Sequence, residues 1–146
     1  MKRLLTILLF CILTVGMASV ACAEEDKWQY ASANNIIVMF FDTKSFQKTG
    51  DNTYSTYIKH SYMETYGKSL ADELKLKQPV SYSLYKNEYN YSTKQSRCLS
   101  VVHYANDDTQ LGAQSYNNAK WQKHVPDSVD EAIFDATYEY YKKHYQ

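Results

Sequence analysis

Four histidines, His60, His103, His124 and His144, are the side chains best suited to move protons or ligate a metal near neutral pH. Their spacing builds neither function. No two stand at i and i+4, and none sits in an HExxH context, so a zinc site on one helix face is not encoded. His103, beside Tyr104 on a predicted strand, could pair with a serine, yet no nucleophile elbow and no Gly-rich phosphate loop is present. A triad gathered from distant residues stays open, because triads are defined by geometry rather than chain order. Asp72-Glu73 and Asp130-Glu131 are neighbours on predicted helices, where capping and solvation account for them. The turn Asn106-Asp107-Asp108-Thr109 lacks the alternating oxygen ligands and closing glutamate of a calcium loop. The expectation is a protein that is not an enzyme, with no cofactor and no metal.

Tyrosine is the unusual component, with fifteen in the chain, all after residue 23. A tyrosine offers a rigid apolar ring and a hydroxyl that can stay wet, a combination enriched in recognition surfaces. Tyr85, Tyr89 and Tyr91 fall on one side of a single predicted strand and are the candidate protein-contact residues. The competing account is that tyrosine simply suits a half-buried strand position. The tyrosines of the last predicted helix are open to either a core or a dimer seam.

The elements that must position these side chains follow an export segment. Lys2 and Arg3, the apolar run from Leu4 to Val15, and Ala21-Cys22-Ala23 give the order of a secretory signal peptide, residues 1–23. Three fates fit it: cleavage after Ala23, lipidation of Cys22 in a loose lipobox, or an uncleaved anchor from Leu4 to Ala23. The A-x-A site favours cleavage, and Ser19 stands where a lipobox prefers leucine. The expected location is therefore periplasm, cell surface or medium, with membrane attachment only if Cys22 is lipidated.

Loss of Lys2 and Arg3 leaves fourteen basic against sixteen acidic residues, a net charge of −2, which argues against nucleic acid as a partner. Cys11 and Cys22 lie in the export segment, so Cys98 remains alone and no intrachain disulfide can form. Within Arg97 to Val102, Cys98 reads as a small apolar strand residue or as a redox-sensitive thiol. A small exported domain without disulfides needs a regular core, and residues 24–146 suffice for one domain.

Strands are predicted over Lys27–Ala33 and Asn35–Asp42, paired as a hairpin. The unbroken apolar run Ile36 to Phe41 predicts a strand covered on both faces. Lys44 to Asn52 reads as a polar connection turning at Gly50. In Thr53–Met63 the residues Tyr54, Thr56, Ile58, His60 and Tyr62 share one face, opposite Ser55, Tyr57, Lys59 and Ser61. A short inserted helix is expected over Ser69–Lys75, its charges on the solvated side. Val80–Tyr91 and Gln95–Ala105 form a hairpin, followed by a strand Gln110–Tyr116. The closing helix has a capping box, with Ser128 accepting from the Glu131 amide and the Glu131 side chain reaching back to the Ser128 amide. Val129, Ile133, Ala136 and Tyr140 make one apolar stripe and Phe134, Tyr138, Tyr141 and Tyr145 an adjoining one. The class is α+β: an antiparallel sheet of about six strands, a packed C-terminal helix and a short inserted helix.

Several landmarks stand in one order: Trp28, then Phe41-Asp42-Thr43-Lys44-Ser45, Tyr57-Ile58-Lys59, Arg97 to Tyr104, and Trp121 through Pro126, Ser128 and Glu131. In these the chain resembles the surface-adhesin protein E family of small exported bacterial proteins, over nearly all of residues 24–146. The resemblance implies the same sheet-and-helix fold and assigns structural roles to Trp28, Asp42, Trp121, Pro126, Ser128 and Glu131. It also implies display at a bacterial surface, a possible homodimer, and adhesion to host extracellular-matrix proteins. Tyr91 stands where members commonly carry a cysteine, and the terminal helix holds none. The expected function is an exported binding protein contacting host or envelope proteins; the alternative is an envelope structural or accessory protein that self-associates.

Overall fold

Short alternating segments with β-branched and aromatic residues, separated by Asn- and Asp-rich links, pair with their sequence neighbours. In the computed structural model, residues 27–146 are described, and the expected signal peptide with its cleavage and lipidation sites lies outside them. The elements run β1 (Trp28–Ala33), β2 (Ile37–Asp42), β3 (Gln47–Gly50), β4 (Thr53–Tyr62) and α1 (Glu64–Glu73). They continue with β5 (Tyr82–Asn90), β6 (Gln95–Tyr104), β7 (Gln110–Ser115), β8 (Gln122–Lys123) and α2 (Val129–Tyr145). One antiparallel sheet has the order β1-β2-β4-β5-β6-β7. Two short strands prolong it: β3 pairs with β4 beyond the end of β2, and β8 pairs with β6 beyond the end of β7.

Asparagine side chains set the turns. Asn34 Oδ1 accepts from the Ile36 and Ile37 amides between β1 and β2, and Asn90 Oδ1 accepts from Ser92 and Thr93 between β5 and β6. Across β2, β4, β5 and β6 the register aligns Phe41, Ile58, Tyr85 and Val101 in one row. That row belongs to the face on which α2 packs. Met39, Phe41, Tyr54, Ile58 and Tyr89 from the sheet and Ile133, Phe134 and Tyr141 from α2 are all buried in one cluster. Their burial supplies about 1.5–3 kcal/mol per large side chain. Rings fill most of it: Tyr141 stacks on Tyr54 at 4.4 Å, and Phe46 lies against Tyr140 at 5.3 Å. Tyr54 brings a hydroxyl into this core, and Thr137 Oγ1 meets it at 2.9 Å.

The fold class and the capped terminal helix agree with the sequence reading, and several details do not. The run Ile36 to Phe41 is covered on one side only: Met39 and Phe41 are buried, Val38 and Phe40 are half-buried on the opposite face, and Ile36 is exposed in the turn. The expected polar connection after Asp42 contains β3 and buries Phe46. β8 was not expected either, because its two residues pair only through the backbone. The inserted helix begins at Glu64 rather than Ser69, with Met63 as an N-cap that makes no side-chain bond, so no capping signal marks its start. Its register is fixed instead by Gly67, where an added Cβ would lie 2.1 Å from the Val80 carbonyl oxygen. Ser128 Oγ accepts from the Glu131 amide as expected, but Glu131 Oε2 accepts from the Asp127 amide at 2.8 Å, not from Ser128. Among the described residues no helix is long and apolar enough to cross a membrane.

Candidate functional site

Alternation places Tyr85, Tyr89 and the following Tyr91 on the side of the sheet that carries α2. Tyr89 is 1% exposed and stacked on Tyr54, so it is a core residue and not a contact residue. Tyr91 is half-buried, stacked on Tyr138 of α2 at 5.3 Å, and donates its hydroxyl to the Asp51 carbonyl. Tyr85 is also half-buried, its hydroxyl 3.2 Å from that of Tyr62. Two-residue periodicity groups the three tyrosines correctly, but it does not say which face a distant helix will cover.

The aromatic surface lies on the other face. Phe40, Lys59, Leu84 and Val102 form one cross-strand row of it, Tyr57 and Lys86 a second, and Tyr82 and Tyr104 a third. Trp28 and Tyr30 extend it on β1, where Tyr30 is 58% exposed and packs its edge against Phe40. Lysines are threaded between the rings. Lys59 Nζ sits 4.4 Å from the centre of Tyr82 and 5.8 Å from that of Trp28; Lys86 Nζ is 5.7 Å from Tyr57. Lys27 adds a contact with Trp28 at 5.3 Å. Among the described residues, neither Lys59 nor Lys86 has a carboxylate within ion-pair distance. Carboxylates near this face are committed elsewhere. Asp42 caps the Lys44 amide, Glu88 grips Arg97 at 2.6 Å, and Asp108 accepts from the Tyr82 hydroxyl. Arg97 in turn lies 4.5 Å over Trp121, closing one end of the face.

The helix side carries the groups with possible chemistry. Ser83 Oγ and His103 Nδ1 are 2.7 Å apart, which is nucleophile-to-base distance. Ser83 is fully buried, so its hydroxyl presents no attacking position to a substrate. His60 lies against Tyr85, ring centres 4.4 Å apart, and burial holds its pKa down at about 4. Burial also lowers His103 and His124, and it raises the Cys98 thiol, which donates to the Ser100 carbonyl. These shifts come from desolvation and favour neutral forms. Among the described residues no three His, Cys, Asp or Glu side chains come together as a metal site.

The residues singled out by family resemblance are spread over β1, β2, the segment before β8 and the start of α2. Trp28 lies on the open face with Lys27 and Lys59 over its ring, Asp42 is buried with its carbonyl accepting from Ser45 and Thr56, and Ser128 caps α2 behind Pro126. A cleft of about 560 Å³ lies elsewhere, between α1 and the turn at Asn106, and is lined chiefly by Tyr62, Glu64, Pro79 and Val80. No protein-family model, curated protein or solved structure matches the chain.

Proposed function

We propose that this chain is a non-enzymatic binding protein, exported and adhesin-like, that docks a protein partner on the uncovered face of its sheet. The observation that carries the reading is that Lys59 and Lys86 lie over aromatic rings on that face with no carboxylate within ion-pair distance among the described residues. Tyr82 has Tyr104 stacked at 4.8 Å on one side and the Lys59 ammonium on the other, so neither ring face is free. A nucleobase needs an open ring face to stack upon. Elsewhere the face presents the exposed rings of Tyr30 and Tyr57 and the ammonium groups of Lys59 and Lys86, which suit an acidic, well-hydrated protein surface. Resemblance to the surface-adhesin protein E family makes a host matrix protein the first partner to try.

The expected outcome is saturable binding to at least one immobilised matrix protein, weakening as salt rises. A Lys59→Glu, Lys86→Glu double variant should bind at least about tenfold more weakly, while Lys68→Glu on α1 changes little. Equal loss in all variants, or no binding across a broad panel, would remove the adhesin reading. A second reading, a self-associating envelope protein, is favoured by β7, an uncharged six-residue edge strand with no proline. Sedimentation showing a tight dimer that a Gly112→Pro substitution in β7 dissolves would select it.

A further inference from the structure

Every strand of the main path β1-β2-β4-β5-β6-β7 places one residue on a single line across the uncovered face. Tyr30 stands opposite Phe40, Phe40 opposite Lys59, Lys59 opposite Leu84, Leu84 opposite Val102, and Val102 opposite Ala113. With ~4.8 Å between neighbouring strands, the line is ~24 Å long. All its members except Lys59 are apolar or aromatic.

The line is one residue wide. Ser61, Tyr82, Tyr104 and Gln110 border it on one side, and Tyr57, Lys86, Ser100 and Ser115 on the other, so hydroxyl, amide and ammonium groups flank it. A second sheet laid on this face would need apolar residues in several adjacent rows to interdigitate with its own. A helix presents a single apolar stripe with polar flanks, which is the shape the line requires. The covered face is already closed in that way. There α2 crosses the strands, with Phe134 near Tyr89 of β5, Tyr141 stacked on Tyr54 of β4, and Tyr140 against Phe41 of β2. On the uncovered face a helix of ~16 residues, rising ~1.5 Å per residue, would span the line.

Charge fixes the flanks of such a helix. Lys59 within the line and Lys86 beside it have no carboxylate within ion-pair distance among the described residues. A neutral or basic helix would cover two ammonium groups and leave them unpaired, at a cost that acidic flanks remove. We propose that the uncovered face docks an acidic amphipathic helix of a partner protein, its apolar stripe on the line through Phe40, Leu84 and Val102 and its acidic flanks at Lys59 and Lys86. This names the form of the partner and rests on the reading of that face as a protein-docking surface.

Three synthetic peptides of ~16 residues, titrated into the purified protein and followed by methyl NMR, test it. The first carries leucine at every third or fourth position with glutamate on either side of the stripe. The second has the same composition rearranged so that apolar and polar residues alternate, the pattern of a strand. The third is the first with glutamine in place of glutamate. Saturable shifts are expected at the Leu84 and Val102 methyls, with the first peptide binding at least about tenfold more tightly than either of the others. Leu84→Asn and Lys59→Glu should each weaken that binding at least about tenfold. A thermal melt of each variant checks that it is folded, and if Leu84→Asn is not, Lys59→Glu decides. Equal or tighter binding of the alternating peptide overturns the helix and leaves the acidic-partner reading standing. Equal binding of the glutamine peptide overturns the charge pairing, and with it the reading on which the helix rests. No shift with any peptide overturns the helix; binding to a matrix protein that persists then keeps the broader reading, and its absence removes both.

Discussion

Tyr54 is the residue at which the core is most exposed to error. It is fully buried, its ring stacked under Tyr141, and its hydroxyl ends 2.9 Å from Thr137 Oγ1. Thr137 is equally buried, with the carbonyls of Ile133 and Phe134 also within reach. Thr137→Val keeps the shape and removes the hydroxyl, so it should lower unfolding free energy by about 1–3 kcal/mol, while Thr137→Ser costs less; urea titration of the two variants measures the difference. His60 makes a second prediction at this scale. Its folded pKa, about 4, lies below the ordinary value of 6.5 because burial disfavours the charged ring. The unfolded chain therefore binds more protons between those values, and stability falls as pH drops through that window, by up to about 3 kcal/mol. His103 and His124 shift in the same direction. Denaturation midpoints that do not fall between pH 7 and pH 4.5 would contradict this, and His60→Phe should flatten the slope. Little of this was legible beforehand. A threonine between apolar stripes looks like solvated helix, and only the approach of a tyrosine 83 positions away makes it core.

Among the elements, β4, β5, β6 and α2 were readable, because alternation, Asn turns and a capping serine are local signals. The start of α1 was not, since it depends on contact with a segment further along the chain. Gly67 donates its amide to Met63 and accepts from the Val80 amide, with the two backbones too close for a side chain. In an open helix Gly→Ala gains about 1 kcal/mol. Here the sign reverses. Gly67→Ala should destabilise the protein by at least about 2 kcal/mol through overpacking, and a thermal melt showing an unchanged or higher midpoint would refute that. The same non-local logic hid β3 and the burial of Phe46, whose neighbours Tyr140, Tyr141 and Tyr145 all come from α2.

At the scale of the molecule, the sheet has two unlike faces, one sealed by α2 and one left with half-buried rings and lysines. Sequence alternation separated the two sides of β4 and grouped Tyr85, Tyr89 and Tyr91; which side faced outward was decided by where the last helix lands. A chain ending at Val125 should keep its strand pairings on paper but expose Met39, Phe41, Tyr54 and Tyr89 together. It is expected to aggregate and to bind a hydrophobic dye strongly, whereas a soluble, cooperatively melting fragment would show that the sheet stands without its helix.

Each neighbouring pair along the main strand path is close in sequence, whereas α2 closes the core across a long separation. For a polypeptide emerging amino end first, the hairpins can form as they appear, but the greasy slab they build stays bare until the final segment follows. Such a chain spends the whole interval of its emergence adhesive to other nascent chains. Slow delivery of that segment, or a chaperone shortage during synthesis, should therefore cost more soluble protein than an equal delay anywhere earlier.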